Sequence, residues 1–394
     1  MSWSFEFSLM IFLLIIFISQ TISVKTRSRI SLQFVLGIIC ILGFALGLFP
    51  PDFIEKSKMK DVGFIAFNVL VVHSGTMLDF KKLKMQWKAI TLCCSAILAV
   101  TAVVGFGLSP FIGKELALIS PGPIVGGGAA CAIASNSLFK IRPGLAAYPW
   151  LLFMVQGFFG FPLCAWAMRK EMRRILAESR MGCAARDHGR EPPPLLDPKG
   201  FCERVPEEYK TTAYYLGLLM IVSVFNRWLY TAFLARTGIG MNVTALLFGI
   251  VLGQLKIIDR NPLQKSDSMG FLMLGLMALM GNALAKMSLA AILSLIPVIL
   301  LVFSVSFIIL VTTGVVTAKV FKFSIYKGIA ITTSCMVGFP FTTALVKETA
   351  LKIAESDEER GLLEARLMLP LVTSSILISN VVSIFLASFL TVLL

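Results

Sequence analysis

The chain has 394 residues, 57% of them hydrophobic and only 15% charged, with a mean hydropathy of +0.85. Soluble globular domains carry about a quarter charged residues, so a water-soluble fold is excluded and the lipid bilayer is the first partner. The formal charge of +14 would suit nucleic acid, but the Lys and Arg residues fall in short loops between apolar runs, where they orient a membrane chain.

The first apolar run, 5–23, has no basic stretch before it and no A-x-A cleavage site after it. Lys25, Arg27 and Arg29 follow it, which predicts a retained helix with its N-terminus outside. Further runs of spanning length lie at 31–49, 61–79, 89–111, 144–168, 211–234, 239–255, 268–285, 288–317 and 367–393. Two more apolar segments are interrupted: 118–139 by Ser120-Pro121-Gly122-Pro123 and Gly126-Gly127-Gly128, and 328–346 by Thr332-Thr333-Ser334 and Gly338-Phe339-Pro340. Between the halves, 169–210 carries Arg169, Lys170, Arg173, Arg174, Arg180 and Pro192-Pro193-Pro194, and reads as a cytoplasmic linker. The stretch 347–366, with Glu355-Ser356-Asp357-Glu358-Glu359-Arg360, reads as a solvated inner segment.

The interrupted segments either cross the membrane as broken helices or dip in and return. Re-entrance places most Lys and Arg in inner loops, whereas crossing would move the basic loop 169–210 outside, so the positive-inside rule selects re-entrance. Each half then makes five crossings, and the second must enter from the opposite face. The residues repeat accordingly: Gly43, Gly47, Gly75 and Gly122 recur 206 positions later as Gly249, Gly253, Gly281 and Gly328. In the same register Gln20 falls on Asn226 and Asn136-Ser137 on Thr342-Thr343, and Pro149 answers to Pro370. The expected fold class is therefore an all-α polytopic membrane protein with two inverted repeats, 1–168 and 211–394, each of five transmembrane helices plus one re-entrant hairpin. Such repeats mark secondary transporters.

Re-entrant backbone survives at membrane depth only against protein or a water-filled cavity, so the hairpins mark the substrate path. In the first, Gly126, Gly127 and Gly128 form the expected tip and Ser135, Asn136 and Ser137 lie along the returning arm. In the second, Thr332, Thr333, Ser334, Gly338, Thr342 and Thr343 take the corresponding parts, and Asn282 occupies the repeat position of Thr76. The structural alternative is tight helix packing at glycine and hydroxyls bonding back to their own helices. Helix N-termini at the tips suit an anion, and carbonyl, hydroxyl and amide oxygens suit sodium. Arg227 is a candidate counter-charge for a substrate carboxylate, with snorkelling as the alternative. His73, Asn68, Gln156 and Asn380 read first as packing or interhelical bonding groups. Cys40, Cys93, Cys94, Cys131, Cys164 and Cys335 lie in apolar segments, and Cys183 and Cys202 in the longest loop; no metal spacing joins them, so thiols are expected. Two histidines leave a nucleophilic catalytic set almost nothing to draw on, which argues against an enzyme, and no cofactor is expected beyond a coupling ion.

In the C-terminal third, Met280-Gly281-Asn282, Cys335-Met336-Val337-Gly338-Phe339-Pro340-Phe341-Thr342-Thr343-Ala344 and Arg366-Leu367-Met368-Leu369-Pro370-Leu371-Val372 resemble the bacterial sodium/glutamate symporter family. Gly126-Gly127-Gly128-Ala129-Ala130 stands where that family has a Gly-Gly-His-Gly type signature. The resemblance implies sodium-coupled uptake, an elevator-like motion and a homodimer; the solute is expected to be small and anionic or zwitterionic, the location the cytoplasmic (inner) membrane, and the placement of Lys and Arg puts both termini outside. Sodium-dependent bicarbonate transporters look similar in outline. A proton-coupled carrier or exporter, and a non-transporting pore or regulatory scaffold, are the rival readings.

Overall fold

A computed structural model describes residues 3–26, 30–180, 201–235, 240–338 and 341–394. Phe339, Pro340, Cys183 and Pro192-Pro193-Pro194 lie outside the described residues. The described chain is helical: α1 Phe5–Lys25, α2 Leu32–Ala45, α3 Met59–Thr76, α4 Trp87–Val100, α5 Pro121–Val125, α6 Gly128–Ile141, α7 Tyr148–Arg180 and α8 Thr212–Leu229. There follow α9 Met241–Gln254, α10 Met269–Ala285, α11 Leu289–Val320, α12 Ile325–Val337, α13 Phe341–Ile353, α14 Asp357–Ile376 and α15 Ser383–Leu390. Among the described residues, six helical stretches are long and apolar enough to cross a bilayer: Phe5–Lys25, Trp87–Gly107, Pro143–Arg180, Thr212–Leu234, Leu289–Val320 and Asp357–Leu390. This is a multi-pass membrane protein.

Several of these helices start where a side chain supplies the acceptor that the first turn lacks. Ser4, Ser31, Thr211, Ser288 and Ser356 accept from the N–H groups of Phe7, Phe34, Tyr214, Ala291 and Glu359. The expected runs 31–49 and 239–255 are shorter as helices, 14 residues each in α2 and α9. That is below the roughly 17 needed to span 30 Å. In α2 the cause is Gly47, whose φ of +68° ends the helix while Leu48 N–H bonds back to the Gly43 carbonyl. The following turn lays Phe49 on Gly43 and against Phe53.

Glycine decides how closely the helices approach. A Cβ at Gly249 would lie 2.1 Å from the Val72 carbonyl oxygen, one at Gly75 2.4 Å from that of Leu246, and one at Gly63 2.4 Å from that of Gly275. Backbone contact of this kind is how membrane helices gain dispersion energy without a hydrophobic drive. It fixes α3 against α9 and α10. Gly253 meets Thr76, and Gln254 donates to the Leu78 carbonyl at 2.7 Å, so α3 and α9 run parallel. The long helix α7 packs along α12, α11 packs on α4 and α12, and α6 packs on α7 and α15.

Candidate functional site

The first interrupted segment starts and ends in one place, for Glu115 and Arg142 are paired at 3.3 Å. From there Ser120 bonds the Tyr148 hydroxyl at 2.8 Å, and α5 runs along α15. Gly122 lies under Ala387, Gly126 presses on Ser383, and Gly127 N–H donates to the Ser379 carbonyl at 3.3 Å. The chain turns at Gly127. Helix α6 then passes Leu276 and Trp150 at Gly128, donates from Ser135 to the Ala146 carbonyl at 2.7 Å, and ends with Lys286 over the Phe139 ring.

The second segment repeats this plan against α7. Ser324 donates its hydroxyl to the buried Glu171 carboxylate, which Arg174 also grips at 2.8 and 3.1 Å. Cys164 then lies by the Ala330 carbonyl, Gly160 faces Met336, and Gln156 donates to the Met336 carbonyl at 2.6 Å. At Gly338 φ is +73°, a conformation open to glycine at little cost, and the chain reverses. On the way back the Phe341 and Phe161 rings meet at 5.9 Å, and Arg180 binds Glu355 at 3.1 Å and Glu359 at 2.8 Å. The segment that leaves Glu171 thus returns beside Arg180 on the same end of α7.

Both segments converge on the last helix. Along it, Ala387, Ser383 and Ser379 receive Gly122, Gly126 and Gly127, while Ser379 also faces Gly338 and Ser375 bonds Thr342 at 3.1 Å. The first segment descends this face from one end, the second climbs it from the other, and the two turns meet at Ser379. The helix is locally a π-helix over Leu377–Val382, which widens the turn there. Single π turns of this kind recur at functional sites.

The expected site residues separate into groups. Gly126, Gly127, Gly128 and Gly338 are the turns themselves. Thr332, Thr333 and Ser334 are fully buried and spend their hydroxyls on the Leu310, Ile329 and Ile331 carbonyls, the packing alternative. Thr342 bonds Gly338 and Ser375, whereas the Thr343 hydroxyl is buried without a partner. Asn282, on α10 beside α6, also keeps an unpartnered Oδ1. Asn136 is exposed and Ser137 half-buried, two turns beyond the tip, and Arg227 sits on α8 against α3 and α9, outside the tip cluster. Ser375, Ser379 and Ser383 were not anticipated. Their signal was present, since Ser375, Ser379, Ser383 and Ala387 form an i, i+4 stripe of small residues in an apolar run. Among the described residues no group of His, Cys, Asp and Glu is placed to hold a metal ion.

Gln156 is the side chain that caps the approach to the second turn. Gln156→Leu leaves the buried Met336 carbonyl unpaired and is expected to lower stability by about 1–3 kcal/mol. Thermal melting in detergent reads this directly, and an unchanged curve would show that the bond contributes nothing.

No family model matches the chain, and no curated protein matches it. A solved structure of the sodium proton antiporter MjNhaP1 from Methanocaldococcus jannaschii at pH 8 is similar, with 15% identity and a TM-score of 0.41 over 98% of this chain and 95% of that one. At that TM-score the neighbour assigns nothing to this chain. The resemblance to the sodium/glutamate symporter family is corrected: no family model matches the chain, that family's included. The likeness rested on short Gly- and Thr-rich stretches, and such residues recur wherever membrane helices approach closely.

Proposed function

We propose that the chain is a secondary active transporter working by alternating access around the two turns, which carries a small anionic or zwitterionic solute. Its layout on this reading is two inverted repeats, 1–168 and 211–394, joined by a cytoplasmic linker 169–210, with one re-entrant hairpin in each repeat. The observation that carries the reading is the meeting of Gly127 and Gly338 at Ser379 from opposite ends of one helix. Two helix N-termini then point at one neutral polar spot, an arrangement suited to a negative group.

A difference between the halves supports a sliding, elevator-type motion. Helix α2 begins at Ser31 against Gly157, whereas α9 begins at Gly240 against Ser388. With Pro149 and Pro370 taken as equivalent, these contacts differ by about ten residues, or about 15 Å along a helix. Two symmetric halves would match. An offset of this kind is what one end state of a sliding bundle would carry.

Two drivers remain within this reading. Sodium suits the neutral oxygens at the turns. A proton is the other driver, and His73, a buried imidazole in α3 whose two ring nitrogens lack partners, is the residue that would carry it. The test is flux in proteoliposomes loaded with carboxylates or amino acids. Saturable, gradient-driven flux is expected, and a linear leak indifferent to both gradients would sink the transporter reading. Flux driven by a pH gradient in sodium-free buffer and lost in His73→Gln would select protons; flux that needs sodium and is unchanged in His73→Gln would select sodium.

A further inference from the structure

A basic cavity of about 540 Å³ opens at the end of α7 where the second segment returns, with α7 on one side and the end of α13 on the other. Arg173, Leu176, Ala177 and Arg180 line it from α7. They stand at i, i+3, i+4 and i+7, so they share one face of that helix. Lys352 and Ile353, which close α13, line it from the other side, with Glu355 just beyond. Three cations against the single Glu355 carboxylate leave the lining with a surplus of two positive charges, and Leu176, Ala177 and Ile353 place apolar surface among them. Arg180 spends Nε and Nη2 on Glu359 and Glu355, and Lys352 binds Glu348 at 2.5 Å. A guanidinium and an ammonium have further N–H groups, so both keep donors to spare. Arg173 makes no hydrogen bond or ion pair with any described residue, whereas its neighbour Arg174, outside the lining, holds both Glu171 and Glu178.

The cavity lies outside the hydrocarbon. Helix α7 has 33 residues, about 50 Å of helix against a hydrocarbon layer about 30 Å thick, and its apolar stretch ends at Met168. Arg173 and Arg180 follow that point by about 8 and 18 Å along the helix, so their charges meet headgroups and water. We infer that this cavity binds a phosphate group, held by Arg173, Arg180 and Lys352, with the apolar part of the ligand on Leu176 and Ile353. A phosphate brings negative charge to meet the surplus, and its oxygens match the fork of a guanidinium two at a time. Because the contacts come from α7 and from α13, the ligand ties the returning arm of the second segment to α7. A phospholipid and a soluble nucleotide both supply this chemistry.

The test is native mass spectrometry of the full chain in detergent, titrated separately with phosphatidylglycerol, ADP and inorganic phosphate. Retention of phosphatidylglycerol assigns a lipid, and retention of ADP a soluble ligand. Whichever is retained should bind about ten-fold more weakly to Arg173→Gln and to Lys352→Gln, in line with loss of one charge-assisted contact. Arg173→Lys should recover most of the binding. Lys84→Gln removes the same charge from an exposed residue outside the cavity and should bind like the parent. The melting temperature of ligand-free Arg173→Gln should also match the parent, because the side chain is exposed and unpaired. Retention of neither ligand, or an equal loss in Lys84→Gln and Arg173→Gln, would overturn the site. Inorganic phosphate held as tightly as the larger ligands would overturn the apolar contact.

Discussion

Gly127→Leu is expected to lower gradient-driven flux by about 100-fold while the protein still folds, a loss typical of a site displaced by roughly an ångström. Gly127 has a φ of −97°, which any residue adopts. A Cβ there would meet only the Ser379 carbonyl, at 3.8 Å. The backbone therefore tolerates a side chain. What changes is the space beside Ser379, where the two turns meet and which a branched four-carbon group would enter. Gly127→Ala, one methyl group, should retain substantial flux and serves as the size control. The measurement is initial uptake in proteoliposomes together with thermal melting. Full flux in a well-folded Gly127→Leu would remove the turns from the substrate path.

The second large effect is on stability. Gly249→Ala places a methyl group 2.1 Å from the Val72 carbonyl oxygen and close to Gly75 Cα at 3.1 Å, and both obstacles are backbone atoms. No rotamer change relieves them. Helices α3 and α9 must separate, and the gaps opened along their shared face forfeit dispersion contacts. Overpacking costs about 1–3 kcal/mol where neighbours can yield, and more where they cannot, so a loss of about 3 kcal/mol is expected. Gly75→Ala, at 2.4 Å from the Leu246 carbonyl, should behave alike, whereas Gly217→Ala, with nothing within 4 Å, should leave the melting curve in place. Equal melting temperatures for Gly249→Ala and Gly217→Ala would overturn this account of the α3–α9 crossing.

Much of this was legible in the residues. Of the glycines picked out by the 206-residue register, Gly43, Gly75, Gly122, Gly249, Gly253 and Gly328 sit where an added Cβ would come within 3.0 Å of a neighbour, whereas Gly281 meets Ile54 at 3.3 Å and Gly47 faces open space. Glycine at a membrane crossing leaves a clear trace, since no other side chain permits that approach. The interrupted segments were legible too: the first breaks at Gly126-Gly127 between α5 and α6, although Pro121-Gly122-Pro123 itself opens α5. Helix ends were less so: the runs 31–49 and 239–255 look long enough to span, yet a turn at Gly47 shortens α2.

The site itself divided along a different line. Composition, hydropathy and the placement of Lys and Arg are sums along the chain, so the sequence alone determined that the protein is polytopic, helical and bent at two glycine-rich points. Which hydroxyls stay available is a matter of helix rotation and of what lies opposite. Thr332, Thr333 and Ser334 look as suited to a ligand as Thr343, but only Thr343 escapes bonding to a carbonyl. Ser379 is marked in the sequence only as one of a stripe of small residues, and it became the meeting point because two segments more than 200 residues apart in sequence, at Gly127 and Gly338, were folded onto one face of the last helix. Contacts between distant segments depend on three-dimensional packing, and only the tertiary structure could decide them.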